Sequence, residues 1–184
     1  MRCKNCNKKF DQYEFNNKFC KELNCQTAKG LYLLEKKKAN DKKAWRKEKA
    51  VRKANLMTIQ DWLKITQVTF NNYIRLRDQN ENCISCNNKL RKGNIDAGHY
   101  YSAGGHYNIR FNELNVHSQC SRPCNKDKSG DLINYRFGLI KRIGEDKVNY
   151  LDSIAQQTRK FTIDELKSIN EEYKLKIKEL KNEI

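Results

Sequence analysis

Eight cysteines and three histidines carry most of the chemistry open to this chain. The cysteines stand at 3, 6, 20 and 25 and again at 83, 86, 120 and 124, two sets of four that each open with Cys-x2-Cys. Tetrahedral zinc is met by four thiolates delivered as two short chelating pairs. Cys3, Cys6, Cys20 and Cys25 form one such set, and Cys83, Cys86, Cys120 and Cys124 the other. Two structural Zn2+ ions are therefore expected; eight unrelated thiols, or metal in only one set, are the alternatives. His99, His106 and His117 all fall inside the loop that the second set closes, together with Asp96, Asn112 and Asn115, and Asn125 follows directly. An imidazole ionises near neutrality and can take a proton from water, while carboxylate and amide oxygens suit hard divalent ions such as Mg2+ or Mn2+. Thiolate and oxygen donors thus separate a structural metal from a working one, a combination suited to phosphodiester hydrolysis.

These residues need a frame. The pairs 83/86 and 120/124 would staple the base of a ββ hairpin to the start of a following helix. Residues 93–130 hold five of the eight glycines and the only proline, Pro123, so short strands and loops are expected there. Elsewhere the pattern is helical. Residues 29–53, free of proline and rich in Ala, Lys, Arg, Leu and Glu, read as a long exposed helix. Thr58 can cap a helix whose Ile59, Trp62, Leu63, Phe70, Tyr73 and Ile74 mostly share one buried face. A further helix should end at Gly144, another should follow it, and Thr162-x-x-Glu165 is a capping box opening a last one.

With 184 residues the chain is one compact domain with appendages, or two small ones. Lys and Arg number 38 against 22 acidic residues, a net charge of +16, which favours a polyanionic partner, nucleic acid ahead of a membrane surface. Half of that excess, +8, lies in residues 29–53, against +3 for 1–28, zero for 54–83, +4 for 84–130 and +1 for 131–184. Lys36, Lys37, Lys38, Lys42, Lys43, Arg46, Lys47, Lys49, Arg52 and Lys53 form the candidate phosphate-gripping face, with a merely solvated helix or charged linker as the alternative. Arg110 and Lys128 are candidates to neutralise a phosphate near the histidines. Binding of that kind should weaken steeply with salt, at about 0.9 counterions released per neutralised phosphate of duplex DNA. No run approaches the roughly 18–20 apolar residues of a membrane span, and none follows the first charges to make a signal peptide, so a cytoplasmic location is expected.

The stretch IDAGHYYSAGGHYNIRFNELNVHSQCSRPCNKDKSG resembles the HNH, or ββα-metal, endonuclease family. The resemblance implies His99 as general base, Asn115 as the central residue holding the base-bearing loop, and Asn125 at the helix start as ligand of a catalytic divalent ion. Asp96 becomes the acidic ligand, although HNH motifs set the acid directly before the base and Ala97 and Gly98 intervene here. His117 is a further candidate for metal or phosphate, with a strand histidine bonded to backbone as its alternative. His106 reads as loop structure or a phosphate contact. Over nearly the whole chain, the order of an N-terminal cysteine cluster, a basic helix, IRLRD leading into CISC, then DAGHY, RFNELNVHSQC and CNKDKSG is similar to the bacteriophage lambda NinG family, also called Rap. That resemblance implies a phage recombination protein: a metal-dependent, structure-specific endonuclease acting on branched DNA such as Holliday junctions and D-loops, alongside other phage recombination proteins.

The expected fold is α+β, predominantly helical around a small zinc-stapled ββα core. An N-terminal four-cysteine module would cover 1–28, a basic DNA-binding helix 29–57, a nuclease domain 58–144 and a helical region 145–184. The competing expectation is a non-catalytic, zinc-stabilised DNA-binding accessory protein. Symmetric resolution of a four-way junction needs two coordinated cuts, so a homodimer follows if that is the substrate.

Overall fold

A computed structural model of the chain describes residues 1–11 and 17–182. Residues 12–16 of the N-terminal four-cysteine module and 183–184 of the C-terminal region lie outside the described residues. The architecture is mixed α+β and mostly helical, with one two-stranded sheet. It divides into two compact units, Met1–Met57 and Thr58–Ile184, so the four segments read from the sequence fall two to a unit.

In the first unit the chain turns tightly at Asn7, whose φ is 59°, and Arg2 pairs antiparallel with Lys9. It then enters α1, Leu23–Asn55, whose start precedes the expected one and takes Cys25 into the first turn. Cys25 is the buried residue of this helix; Leu31, Leu33, Leu34 and Trp45 are exposed. Phe19 and Tyr32, with ring centroids 5.7 Å apart, pack beside the cysteines at its base.

The second unit begins with the expected cap. Thr58 Oγ1 accepts from Asp61 N–H at 3.3 Å while Asp61 Oδ2 accepts from Thr58 N–H at 3.0 Å, opening α2, Ile59–Arg77. Phe70, Tyr73 and Ile74 on one face of α2 bury against Tyr173 of α5, Ile163–Asn182, and against Ala97 and Val116 of the sheet. Thr162 and Glu165 cap α5 reciprocally, as the sequence indicates. The sheet is a hairpin of β1, Ile95–His99, and β2, Val116–Cys120, antiparallel, with Ile95 opposite Cys120 and His99 opposite Val116.

Between α2 and β1 the chain repeats the turn of the first unit: Asn87 has φ 58° and Asn82 pairs with Lys89. Beyond β2, a kinked turn over Ser121–Asn125 leads to α3, Leu132–Ile143, and α4, Glu145–Ile154. Gly144, at φ 88°, breaks the two helices apart. Tyr135, Leu139, Val148 and Leu151 close over Ile84 of the cysteine turn. The approach is close: a Cβ on Gly138 would stand 1.7 Å from the Ile84 carbonyl oxygen. Among the described residues no helix is long and apolar enough to cross a membrane.

Candidate functional site

Each cysteine set folds into one cluster whose four sulfurs lie within 4.8 Å of one another. Four sulfurs at about 2.3 Å from zinc would stand about 3.8 Å apart on a tetrahedron. Cys6 and Cys20 are 3.8 Å apart, and Cys83 to Cys124 and Cys86 to Cys120 are each 3.9 Å. Both clusters are therefore compatible with structural zinc. They also share a device for holding thiolate. Cys20 N–H donates to Cys3 Sγ and Cys120 N–H to Cys83 Sγ, each at 3.3 Å. Burial opposes ionisation of Cys3, but the backbone N–H groups of Cys6, Cys20 and Asn5 outweigh it and bring the thiol down to about 6. Burial likewise opposes ionisation of Cys83, and the backbones of Cys120, Cys86 and Ser85 pull it below its usual value. Burial and the neighbouring Cys83 push Cys120 up to about 12, the repulsion that a dication between the sulfurs would remove.

The second cluster brackets the hairpin that carries Asp96 and His99. Three positions apart on a strand, these two side chains leave opposite faces and find different partners. Asp96 Oδ2 accepts from Ser121 Oγ at 2.8 Å and from Asn125 Nδ2 at 2.9 Å. His99 Nε2 lies 3.2 Å from the Arg110 carbonyl oxygen. A carbonyl only accepts, so Nε2 carries the proton in this bond and Nδ1 is the basic nitrogen. Burial holds the His99 imidazole below its usual value, against the opposing pull of the Arg110 and Ala97 backbone, which keeps it neutral at pH 7. His99, His106 and Asn125 line one cavity of about 810 Å³. Asn125 therefore joins the two sides, touching Asp96 and facing the cavity that His99 faces.

Asn115 is fully buried and speaks only to backbone. Its Nδ2 donates to Tyr101 O at 2.9 Å and Ile109 O at 3.2 Å, and its Oδ1 accepts from Tyr101 N–H at 2.8 Å, tying the loop between the strands to the hairpin. His117 is also buried, and both ring nitrogens are engaged: Nδ1 accepts from Arg77 Nη2 at 3.1 Å and Nε2 donates to Leu114 O at 3.3 Å. Burial and the Arg77 charge push it down to about 4. The nitrogen that would ligate a cation faces a guanidinium, so His117 is not brought to the cavity. His106 donates from Nδ1 to Ala155 O at 2.8 Å, and its ring lies against Tyr101. Arg110 gives Nε to Gln67 Oε1 at 2.7 Å and Nη1 to Ala103 O at 3.4 Å, so it holds the loop rather than projecting from it. Lys128 is exposed, 3.7 Å from Asp131. Lys36, Lys37, Lys38, Lys42, Lys43, Arg46, Lys47, Lys49, Arg52 and Lys53 are all exposed on α1.

Sequence reasoning missed the residues that clamp the hairpin from outside. Arg77 gives Nη2 to Val116 O at 2.9 Å and Nη1 to Glu113 O at 3.2 Å, while Asp78 Oδ2 accepts from Ser118 N–H at 2.8 Å. The Arg-Asp pair closing IRLRD was the available signal. Tyr135 of α3 gave none, because its partners are backbone: its hydroxyl donates to Gly98 O at 2.8 Å and accepts from His117 N–H at 3.0 Å. Gly98 leaves no room for an acid directly before His99. A Cβ there would meet Gln119 Oε1 at 2.4 Å, and the Gln119 amide is fixed by Ser85 and Gly130.

A family model described as bacteriophage lambda NinG protein matches residues 1–183. Protein ninG of Escherichia phage lambda is 42% identical over 132 residues, covering 72% of this chain and 63% of that protein. Protein ninG of Salmonella phage P22 is 40% identical over 132 residues, 72% of this chain and 64% of its own. The matched region thus spans just under two thirds of the length of these relatives. No solved structure matches the chain. With nearly every residue covered by the family model, and with both four-cysteine clusters and the hairpin that the second one brackets lying inside it, the chain belongs to the NinG family.

Proposed function

We propose that this protein is a metal-dependent, structure-specific DNA endonuclease of phage recombination, built on an HNH-like core, that cuts branched DNA such as Holliday junctions and D-loops by phosphodiester hydrolysis. The observation that carries the reading is the cavity in which a neutral, backbone-anchored His99 faces Asn125, itself bonded to Asp96. His99 Nδ1 takes a proton from the attacking water, and the Nε2 bond to Arg110 O steadies the imidazolium that results. Asn115 keeps the loop that supplies this carbonyl in place. Asp96 and Asn125 would hold the ion through a carboxylate and an amide carbonyl, a donor set of the kind that suits Mg2+ or Mn2+. Bound there, the ion would supply positive charge to the scissile phosphate. The exposed cations of α1 suit the phosphates of duplex arms and read no bases. A four-way junction as substrate implies a homodimer, and other phage recombination proteins are the expected partners.

The test compares branched and linear duplexes of equal length, incubated with Mg2+, with Mn2+ and without added metal, for the wild type and His99→Ala. Metal-dependent cutting that favours branched DNA and is lost in His99→Ala is the expected result. Cleavage unchanged in His99→Ala would overturn the mechanism. Tight DNA binding without any cutting would leave the zinc-stabilised accessory protein as the reading that stands.

A further inference from the structure

The first two turns of α3 carry apolar side chains where none is needed for the core. Leu132 is 51% exposed, Ile133 75% and Phe137 69%, while Tyr135 and Leu139 of the same helix are fully buried. Single exposed apolar residues are ordinary; three together on the rim of a candidate site are not. All three line the cavity of His99 and Asn125. Phe137 also lines a second, polar cavity of about 580 Å³, where Lys141 and Arg142 of the same helix stand beside Asn82 of the cysteine turn. Its ring is therefore a ridge with a groove on either side. Exposed lysines stand near both grooves: Lys141 lines the second, and Lys126 and Lys128 lie in the loop whose Asn125, Ser129 and Gly130 line the first, while Arg142 is tied to Glu81 and the Asn82 carbonyl and Arg136 to Asp152.

We propose that Phe137, backed by Ile133, is a stacking wedge that recognises the exposed face of a base at a DNA branch point, and so helps to select branched over linear substrate. This rests on the endonuclease reading of the neighbouring cavity. In continuous duplex every base has both faces covered by its neighbours, and the grooves offer only edges. At a branch the stack is interrupted and a flat, apolar face is left open. An aromatic ring can cover that face whatever the base, because every base has one. The exposed lysines near the two grooves, Lys141 on one side of the ring and Lys126 and Lys128 on the other, suit two phosphate backbones diverging from that point. A second copy of this chain fits the same face poorly. Stable protein interfaces bury about 800 Å² per partner, whereas only three side chains at the start of one helix are bared here, and each copy carries a net +16.

The test uses full-length protein with Ca2+ in place of Mg2+ or Mn2+, so that binding is read without cutting. Three- and four-way junctions carry 2-aminopurine either at the branch or in mid-arm, with linear duplex of equal length alongside. Wild type and Phe137→Trp should change the fluorescence of the branch probe and leave the mid-arm probe alone. Phe137→Ala, and Phe137→Leu, which keeps apolar bulk without a ring, should lose that response. Their ratio of branched to linear affinity should fall roughly tenfold. Zinc content and melting temperature serve to establish that these surface variants fold. An unresponsive branch probe in the wild type, or an unchanged affinity ratio in Phe137→Ala, overturns the wedge. Sedimentation showing a wild-type dimer that Phe137→Ala dissolves would give the face to a second copy instead. Failure of the endonuclease reading looks different: the branch probe responds as described, yet no strand is cut when Mg2+ or Mn2+ is restored.

Discussion

Asn115 does no bond-making of its own, yet it satisfies three buried backbone groups of the loop that carries the His99 anchor. Leaving such groups unpaired costs about 1–3 kcal/mol each in the worst case, so Asn115→Ala should lower stability by roughly 3 kcal/mol in urea unfolding and abolish cutting with it. His117 supplies a second residue-level prediction. It sits near 4 in the folded chain against about 6.5 when unfolded, so between those values the unfolded chain binds more protons. Its contribution is complete above pH 6.5 and is lost as pH falls toward 4. The unfolding free energy from urea titration should fall across that window by up to about 1.4 kcal/mol per pH unit, and the fall should be shallower in His117→Gln. At this scale the sequence discloses residue types but not partners. His99 and His117 are identical letters 18 positions apart in one segment. One faces the cavity and the other Arg77, because the guanidinium reaches β2 from a helix some 40 residues away in sequence.

Elements whose ends are set locally were legible. Thr58 and Thr162 close capping boxes with the residues three positions on, and Gly144 supplies the positive φ that separates α3 from α4. The start of α1 was not, since Glu22 makes no side-chain cap bond and the helix begins where Cys25 must enter the cluster. Gly138 marks the same limit inside α3. Propensity alone favours alanine over glycine in a helix by about 1 kcal/mol. The Ile84 carbonyl, 1.7 Å from where a Cβ would stand, reverses the sign. Gly138→Ala should therefore be destabilising by roughly 1–3 kcal/mol, read as a lower urea midpoint, because backbone of the cysteine turn and of α3 would have to part.

At the scale of the whole molecule, two clusters in two compact units should behave as two separable stabilising sites. Metal analysis should find about two zinc per chain. Cys3→Ala and Cys83→Ala should each lose one. Cys83→Ala should destabilise the second unit by several kcal/mol, since its cluster ties the cysteine turn, β2 and the turn into α3 together, whereas Cys3→Ala should leave the unfolding of that unit within about 0.5 kcal/mol of wild type. A shared loss across both units would refute their independence. The sequence by itself determined the chelating pairs, the basic helix, the helix caps and the clustering of histidines, because each depends on spacing of a few residues or on composition. Tertiary structure decided that His99 and His106 share a cavity with Asn125 while His117 turns to Arg77, and why a glycine must precede His99. It also decided that Arg77, Asp78 and Tyr135 clamp the hairpin and that Phe137 stands bare beside the cavity. Those outcomes turn on which side chains arrive from distant elements, and a linear pattern does not record that.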